Sequence, residues 1–422
     1  MRTLIASAAA TLLSAGSAHA ATIEYLPHGF LLTDLSLNGT RGCGNVQGDG
    51  SFETFRWTTQ NAPVRLGRPT VSTIGVGGGS PDISYDGTRV SAMMLSSDNM
   101  ATIGIWDINT GWAEAMPPLP PGGAILDQVY SACWGLSGDG TTATGYYYAG
   151  SPVRAWACTW TPSGGVVALE QNHLVSARVN AANFDGSVVV GWEDTNGPWA
   201  PVAWRNGTRI YLDPIPDTNG QGWAVNANGE TIVGSARDPA IATRGATIWR
   251  WNGSAYIIQR IGVLPGTALT LGQAYLESVT DDGQTAVGSN IYSLSPGGPR
   301  DAIIWSASGG LQKGTDFING LGLALPPDTL SVPEFTAISP DGSTITGIAM
   351  TNSGFQSFVI RLTPACPEDM NGDGSINTID LTMFLAQFGQ TVPPSTGGDF
   401  TGDGAVNTAD LVHFLGAFGQ SC

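Results

Sequence analysis

Two stretches near the C-terminus carry the side chains most ready for chemistry. The first runs Asp369-Met370-Asn371-Gly372-Asp373-Gly374-Ser375-Ile376-Asn377-Thr378-Ile379-Asp380. The second begins 30 residues later and runs Asp399-Phe400-Thr401-Gly402-Asp403-Gly404-Ala405-Val406-Asn407-Thr408-Ala409-Asp410. Each puts oxygen donors at positions 1, 3, 5, 9 and 12, a backbone carbonyl at 7 and Gly at 6. A loop with this spacing wraps Ca2+, a hard cation that takes about six to eight oxygens. In the first loop the expected ligands are the side chains of Asp369, Asn371, Asp373 and Asp380, the Ser375 carbonyl, and Asn377 through a water. In the second they are Asp399, Thr401, Asp403, Asp410, the Ala405 carbonyl and Asn407. Two Ca2+ are therefore expected. Thr401 at position 3 brings less negative charge than Asn or Asp, so the second site should bind more weakly. Asp at position 12 of both loops reaches less far than the commoner Glu.

Each loop leads into an amphipathic segment. Leu381, Phe384, Leu385 and Phe388 fall at helical spacing, and Leu411, Phe414, Leu415 and Phe418 repeat them. Both segments end Phe-Gly-Gln, with Gly389 and Gly419 as C-caps. Ile376 and Val406, at position 8, are expected to pair the loops. Residues 366–422 hold seven acids and no Lys or Arg, and six of those acids are expected ligands. This duplicated loop-plus-exit-helix, without full entering helices, resembles a dockerin domain, and the flanking Cys366 and Cys422 make it similar to the GC type of exported bacterial proteins. The resemblance implies a docking module that binds a cohesin-like or other surface receptor through loop positions 10 and 11, here Thr378, Ile379, Thr408 and Ala409. It also implies a small domain over 363–422, which a Cys366–Cys422 disulfide is expected to staple, since its core is small.

The rest of the chain is repetitive. A small polar residue, a spacer and Asn/Asp-Gly recur seven times, from Ser36-Leu37-Asn38-Gly39 and Ser84-Tyr85-Asp86-Gly87 to Ser339-Pro340-Asp341-Gly342. The turn glycines lie between 43 (Gly186 to Gly229) and 59 (Gly283 to Gly342) residues apart. Five residues after each comes another Gly, at 44, 145, 191, 234, 288 and 347, with Ala92 the exception. An aromatic then closes a strand-like run: Trp57, Trp106, Trp160, Trp204, Trp249, Trp305 and Phe358. Asn-Gly and Asp-Gly suit two-residue hairpin turns with two positive φ values. The second Gly suggests close backbone approach. Units of this size with about four strands are propeller blades. Segments such as Ser51-Phe52-Glu53-Thr54-Phe55-Arg56-Trp57-Thr58 and Val263-Leu264-Pro265-Gly266 resemble HAF repeats of bacterial extracellular proteins. That resemblance implies a β-propeller-like array over about 22–362 and no catalytic residues. The expected fold class is all-β: a seven-bladed β-propeller over 21–362 followed by a small α-helical, dockerin-like calcium-binding domain. Residues Thr22–Pro27 are expected to complete the last blade.

Composition bounds the function. The chain has 17 basic and 34 acidic residues, a formal charge of −17, and a single Lys, Lys313. Such a chain has no basic surface for nucleic acid. Its 58 Gly, 13 Trp and 12% charged residues exclude disorder and helical bundles. Residues 1–20 read as a signal peptide, with Arg2, an apolar run from Leu4 to Leu13 and Ala18-His19-Ala20 at the cleavage site. The run is too short to span a membrane, so a secreted or cell-surface protein is expected. Cys133 and Cys158 sit on strands separated by a third, roughly 9–10 Å apart and beyond disulfide reach. They are read as buried thiols, and Cys43 has no evident partner. Tyr146-Tyr147-Tyr148 and Trp192-Glu193-Asp194 with Trp199 suit sugar recognition, but packing between blades plus a solvated acidic loop is the favoured explanation. No Gly-x-Ser-x-Gly elbow, metalloprotease His pair or phosphate loop occurs. The reading is a non-catalytic exported binding or scaffold protein with a possible glycan on the propeller. The alternative is a dockerin-borne carbohydrate-active enzyme, a polysaccharide hydrolase or lyase.

Overall fold

The computed structural model describes residues 21–47, 52–59, 61–70, 80–98, 100–118, 122–127, 129–170, 175–194, 199–213, 220–240, 243–268, 272–293, 298–362, 367–370, 375–392 and 397–420. The expected signal peptide therefore lies outside the described residues. So do Asn371, Asp373, Cys366 and Cys422, and with them the expected disulfide.

The described residues between 22 and 361 are almost wholly strand and turn. Antiparallel four-stranded meanders occupy 30–70, 82–115, 131–168, 177–211, 221–262 and 273–313. The fifth and sixth join through one parallel pair, Arg244 with Gln273. A seventh sheet combines three strands of 329–361 with Thr22–Tyr25, which pairs antiparallel with the last of them from Thr22↔Arg361 to Tyr25↔Phe358. The N-terminal strand thus fills the place expected of it.

The seven turns share one hydrogen-bond scheme, and it differs from the expected hairpin. In each, the Gly N–H donates to the carbonyl of the polar residue three before it, as Gly87 does to Ser84 at 2.7 Å. Only the Gly has positive φ, from +62° at Gly39 to +77° at Gly342. This is a four-residue turn ending in a left-handed glycine, so Asn or Asp needs no strained conformation there. The Asp instead accepts from the backbone beyond the turn, as Asp86 does from the Thr88 N–H. The polar residue accepts from the N–H five residues on, in all seven turns, at 2.8–3.1 Å.

Neighbouring turns are linked in sequence. Leu37 N–H donates to Tyr85 O, Tyr85 to Gly138, Asp139 to Phe184 and Phe184 to Ala227. Ala227 N–H donates to Asp281 Oδ1, Asp281 to Pro340 O, and Asp341 back to Leu37 O. Arginines add a second link: Arg56, Arg89, Arg205, Arg250 and Arg361 donate to the turn carbonyls of Gly87, Gly140, Gly229, Gly283 and Gly39. Four of them also lie over a Trp of the next unit, at 4.6–6.0 Å from the ring centroid. Apolar clusters straddle neighbouring units. One joins Ile103, Ile105 and Ala115 to Cys133 and Leu136, and another joins Ala337 and Val359 to Leu26, Leu32 and Trp57. Helix α1 (Gly314–Gly320) buries Ile318 beside Phe335 of the seventh sheet.

The close approach expected at the second Gly has a specific cause. The first strand of six units carries a bulge, at Thr33, Trp134, Asn180, Trp223, Glu277 and Thr336. Just before it a carbonyl turns onto the second strand. A Cβ on Gly145 would stand 1.9 Å from Ala132 O, and one on Gly191 1.9 Å from Arg178 O. In the second unit the first strand is only Asp82–Ile83, and there Ala92 is tolerated. Gly145 pairs with both Cys133 and Cys158. These thiols are buried and unpaired, as is Cys43, and burial raises the pKa of all three.

In the C-terminal segment, α2 (Thr378–Leu385) and α3 (Thr408–Ala417) each start with a capping box, from Asn377 with Asp380 and from Asn407 with Asp410. The position-8 residues do not pair with each other as expected. Ile376 exchanges backbone hydrogen bonds with Gly419 and Gln420, and Val406 with Gly389 and Gln390. Each loop is thereby tied to the Phe-Gly-Gln after the opposite helix. Phe384 and Phe414 stack at 5.7 Å as the buried centre.

Candidate functional site

The second acidic loop brings three expected ligands together. Carboxylate oxygens of Asp399, Asp403 and Asp410 lie within 4.8 Å of one another, and Asp399 and Asp410 are buried. Backbone donors orient them: Gly402 and Gly404 N–H donate to Asp399, while Thr401 and Asn407 N–H donate to Asp410. The Thr401 hydroxyl also donates to Asp410 Oδ1 at 2.9 Å. Converging carboxylates in a segment without Lys or Arg repel one another unless a cation or protons intervene, so the donor set fits a hard cation. In the first loop Asp380 is buried and bonded to the Asn377 N–H, as Asp410 is to Asn407. Asp369 and Ser375 flank the part outside the described residues. Asn377, Ala405 and Asn407 keep their expected positions, Ala405 O accepting from Asn407 Nδ2. Thr378, Ile379, Thr408 and Ala409 lie on the first turns of α2 and α3, all exposed.

A second candidate site was not singled out in the sequence. The six bulge residues, one per unit, line a cavity of about 180 Å³ between the first strands. Pro81 takes the corresponding place in the second unit. Three acids line this cavity: Asp34, Asp82 and Glu277. Asp82 is hydrogen-bonded to Asp34, and burial together with the neighbouring carboxylate holds its pKa well above the ordinary range. Burial raises Glu277 likewise, beside Glu334. Asp82 also accepts from the Leu136 N–H at 2.8 Å, and Asp34 from the Ile83 N–H at 2.9 Å. The acids therefore also knit first strands together. The turns close one end: Tyr85 reaches across to donate to Asp281 Oδ1 at 2.7 Å and packs edge-on against Phe184. Burial pushes the Asp281 carboxyl up to about 7.

No family model and no curated protein sequence matches the chain. Solved structures do. Oligogalacturonate lyase from Vibrio parahaemolyticus aligns at TM-score 0.53 and 11% identity, over 82% of this chain and 98% of its own. The β-propeller domain of the Trilobed protease from Pyrococcus furiosus aligns at 0.47 and 12%, over 79% and 95%. TolB from Acinetobacter baumannii aligns at 0.40 and 15%, over 65% of this chain and 63% of its own. The chain thus spans less than two thirds of that TolB.

The fold is a β-propeller.

On the propeller, the aromatic and acidic residues expected near sugar separate into two groups. Tyr146 and Tyr147 are buried. Glu193 is buried too, taking an ion pair from Arg209 at 2.8 Å and a hydrogen bond from Tyr211; these follow the packing explanation. Trp192 stacks on Trp199 at 4.6 Å and 17°, and it joins a cluster around Arg178. The cavity acids escape a linear reading of the sequence because they come from different units. Aligning the repeats on the polar turn residue puts the bulge residue, Glu277 among them, three before it in a common column, and Asp34 and Asp82 in the column after it. No helix among the described residues is long and apolar enough to cross a membrane.

Proposed function

We infer that the protein is an exported binding or scaffold unit: a closed seven-bladed propeller carried by a dockerin-type, calcium-dependent docking module over 363–422. The turn-to-turn hydrogen bonds that pass through seven units and return from Asp341 to Leu37 support seven blades. The observation that carries the docking reading is the convergence of Asp399, Asp403 and Asp410, in a loop whose cap, helix and Phe-Gly-Gln end recur 30 residues apart. The dockerin resemblance supplies a cohesin-like or other surface receptor as partner, and residues 1–20 supply export. Titration of the full chain with Ca2+ by calorimetry should give two sites, and Asp410→Ala should leave one. Pull-down of a surface receptor should then fail in chelator. No heat at millimolar Ca2+, or capture indifferent to chelation, would sink the docking reading.

The acids lining the channel cavity, Asp34, Asp82 and Glu277, favour one second reading, a polysaccharide hydrolase or lyase on the propeller. Turnover in a polysaccharide screen, lost in Asp82→Asn or Glu277→Gln with the fold intact, would replace the binding reading.

A further inference from the structure

The two helices of the acidic module are too short to stand alone. Helix α2 has 8 residues and α3 has 10, and an isolated helix below about 12–15 residues is marginal in water. Each must be held at its ends, and the two ends of one helix are held by different loops.

The start of α2 belongs to the first loop. Asn377 N–H donates to Asp380 at 2.9 Å and Ile379 N–H to Asn377 Oδ1 at 2.8 Å. The end of α2 belongs to the second loop. Gly389 N–H donates to Val406 O at 2.7 Å, Val406 N–H to Gln390 O at 2.9 Å and Val392 N–H to Gly404 O at 3.0 Å. Gly398 N–H, at the entry of the second loop, donates to Gln387 Oε1 at 3.0 Å. These ties reach the acids themselves, because Gly404 also donates its N–H to Asp399 Oδ2. Helix α3 is hung the other way. The second loop starts it, with Asn407 N–H on Asp410 at 2.9 Å. The first loop ends it, since Gly419 N–H donates to Ile376 O at 2.8 Å and Ile376 N–H to Gln420 O at 2.9 Å. Glu368, just before the first loop, also pairs with His413 of α3 at 2.8 Å. Between the helices lies a thin aromatic core, Phe384, Phe400 and Phe414 stacked at 5.6–6.1 Å.

We propose that the two calcium loops act as one unit: each loop, once Ca2+ offsets the repulsion among its carboxylates, seats the start of its own helix and the end of the other, so neither helix is fully ordered until both loops are filled. The inference rests on the docking reading and concerns how that module responds to Ca2+. Energy released in forming one site is folding energy, and the crossed ties deliver part of it to the other site. Loops that served only their own helices would fill independently. Thr378, Ile379, Thr408 and Ala409, the residues expected to meet a receptor, sit on these two helices, so capture should follow the second ion bound rather than the first.

The test is a Ca2+ titration of the full chain, read by calorimetry and by hydrogen exchange of residues 378–388 and 408–418. Residues 363–422 contain no Trp or Tyr, so exchange reports on them where fluorescence does not. The isotherm should be steeper than that of two independent sites, and both segments should gain protection together. Asp410→Ala removes a second-loop ligand. It should weaken the first loop by about fivefold or more and leave the end of α2 unprotected, although every first-loop ligand remains. Gln387→Ala combined with Val392→Pro breaks two of the four ties to α2 and touches no ligand. Both loops should still bind Ca2+ in that variant, with the steepness reduced. Independent sites in the wild type, wild-type first-loop affinity in Asp410→Ala, or unchanged steepness in the tie variant would overturn the coupling and leave the docking reading standing. No Ca2+ binding at millimolar concentration would remove both. If the variants fail to fold, the wild-type isotherm and the joint protection decide alone.

Discussion

Replacing Asp281 with Asn should abolish a pH-dependent loss of stability that the wild-type propeller carries in its closed end. The carboxyl is buried beneath the turns, where Tyr85 and the Ala227 N–H donate to Oδ1 and Oδ2 has no hydrogen-bond partner. Burial raises its folded pKa to about 7, against an unfolded value of about 3.9. Between these values the unfolded chain has released a proton that the folded chain still holds, so stability falls as pH rises. Below about pH 4 both states are protonated, and above about pH 7 both are ionised, so the loss is confined to that window. About three decades of pH at about 1.4 kcal/mol each give roughly 4 kcal/mol. The Asp281→Asn side chain keeps an acceptor for Tyr85 and Ala227 but cannot ionise. The assay is urea unfolding of both proteins by tryptophan fluorescence at pH 4, 5, 6, 7 and 8. The variant should gain on the wild type by roughly 4 kcal/mol from pH 4 to pH 8. The other raised acids, Asp82, Glu277 and Glu334, titrate in both proteins and cancel in the difference. Parallel profiles, with a difference constant to within about 1 kcal/mol, would refute the reasoning.

Deleting residues 21–27 removes the strand paired to Gly354–Arg361 and buried Leu26. Leu26 alone is worth about 2 kcal/mol, and at roughly 2–4 °C per kcal/mol the melting temperature should fall by several degrees; an unchanged value would show the N-terminal strand to be dispensable. Gly145→Ala drives a Cβ to 1.9 Å from Ala132 O and should cost about 3 kcal/mol or more. Gly320→Ala meets nothing within 4 Å and should be neutral to within about 1 kcal/mol, so equal effects in calorimetry would rule out the close-approach explanation. Chelator should lower helical circular dichroism of the full chain slightly, and Asp403→Ala should reduce that response; a signal blind to chelation would count against the second loop as a calcium site.

The turns are legible in the sequence because their chemistry is local. Seven Gly at one spacing from a polar residue fix where the chain reverses, and the N-terminal strand follows from a seventh unit one strand short. The turn type is not, because Asn/Asp-Gly alone suggests a two-residue hairpin, while Ser84 and its equivalents close a longer turn through the N–H five residues on. The channel is illegible for a different reason. Asp34 meets Asp82, and Glu277 meets Glu334, only when neighbouring units pack, and nothing near any one of them marks it. Arg178 shows the same limit, since an arginine beside alanine and valine in a strand gives no hint of three indoles from three units, Trp134, Trp192 and Trp223. Trp192 stands out in the sequence with the right aromatic chemistry, yet its neighbour Glu193 faces Arg209 rather than a ligand.

The distribution of cations bears on how the ring holds together. A chain with 16 arginines and one lysine uses five of those arginines to reach the turn of a neighbouring unit. A turn carbonyl and an indole face together form a flat, two-sided seat, which a planar guanidinium fills and a lysine ammonium on a flexible stem does not. Because Arg361 reaches Gly39 while Asp341 reaches Leu37, the seventh unit holds the first by the same contacts that join the fifth to the sixth. On the proposed seven-bladed reading, closure therefore needs no device of its own beyond the N-terminal strand. Arginines outside such seats serve other packing: Arg209 pairs with Glu193, Arg260 with Asp213, and Arg178 stacks on Trp134 while donating to Asn180 and Gln221.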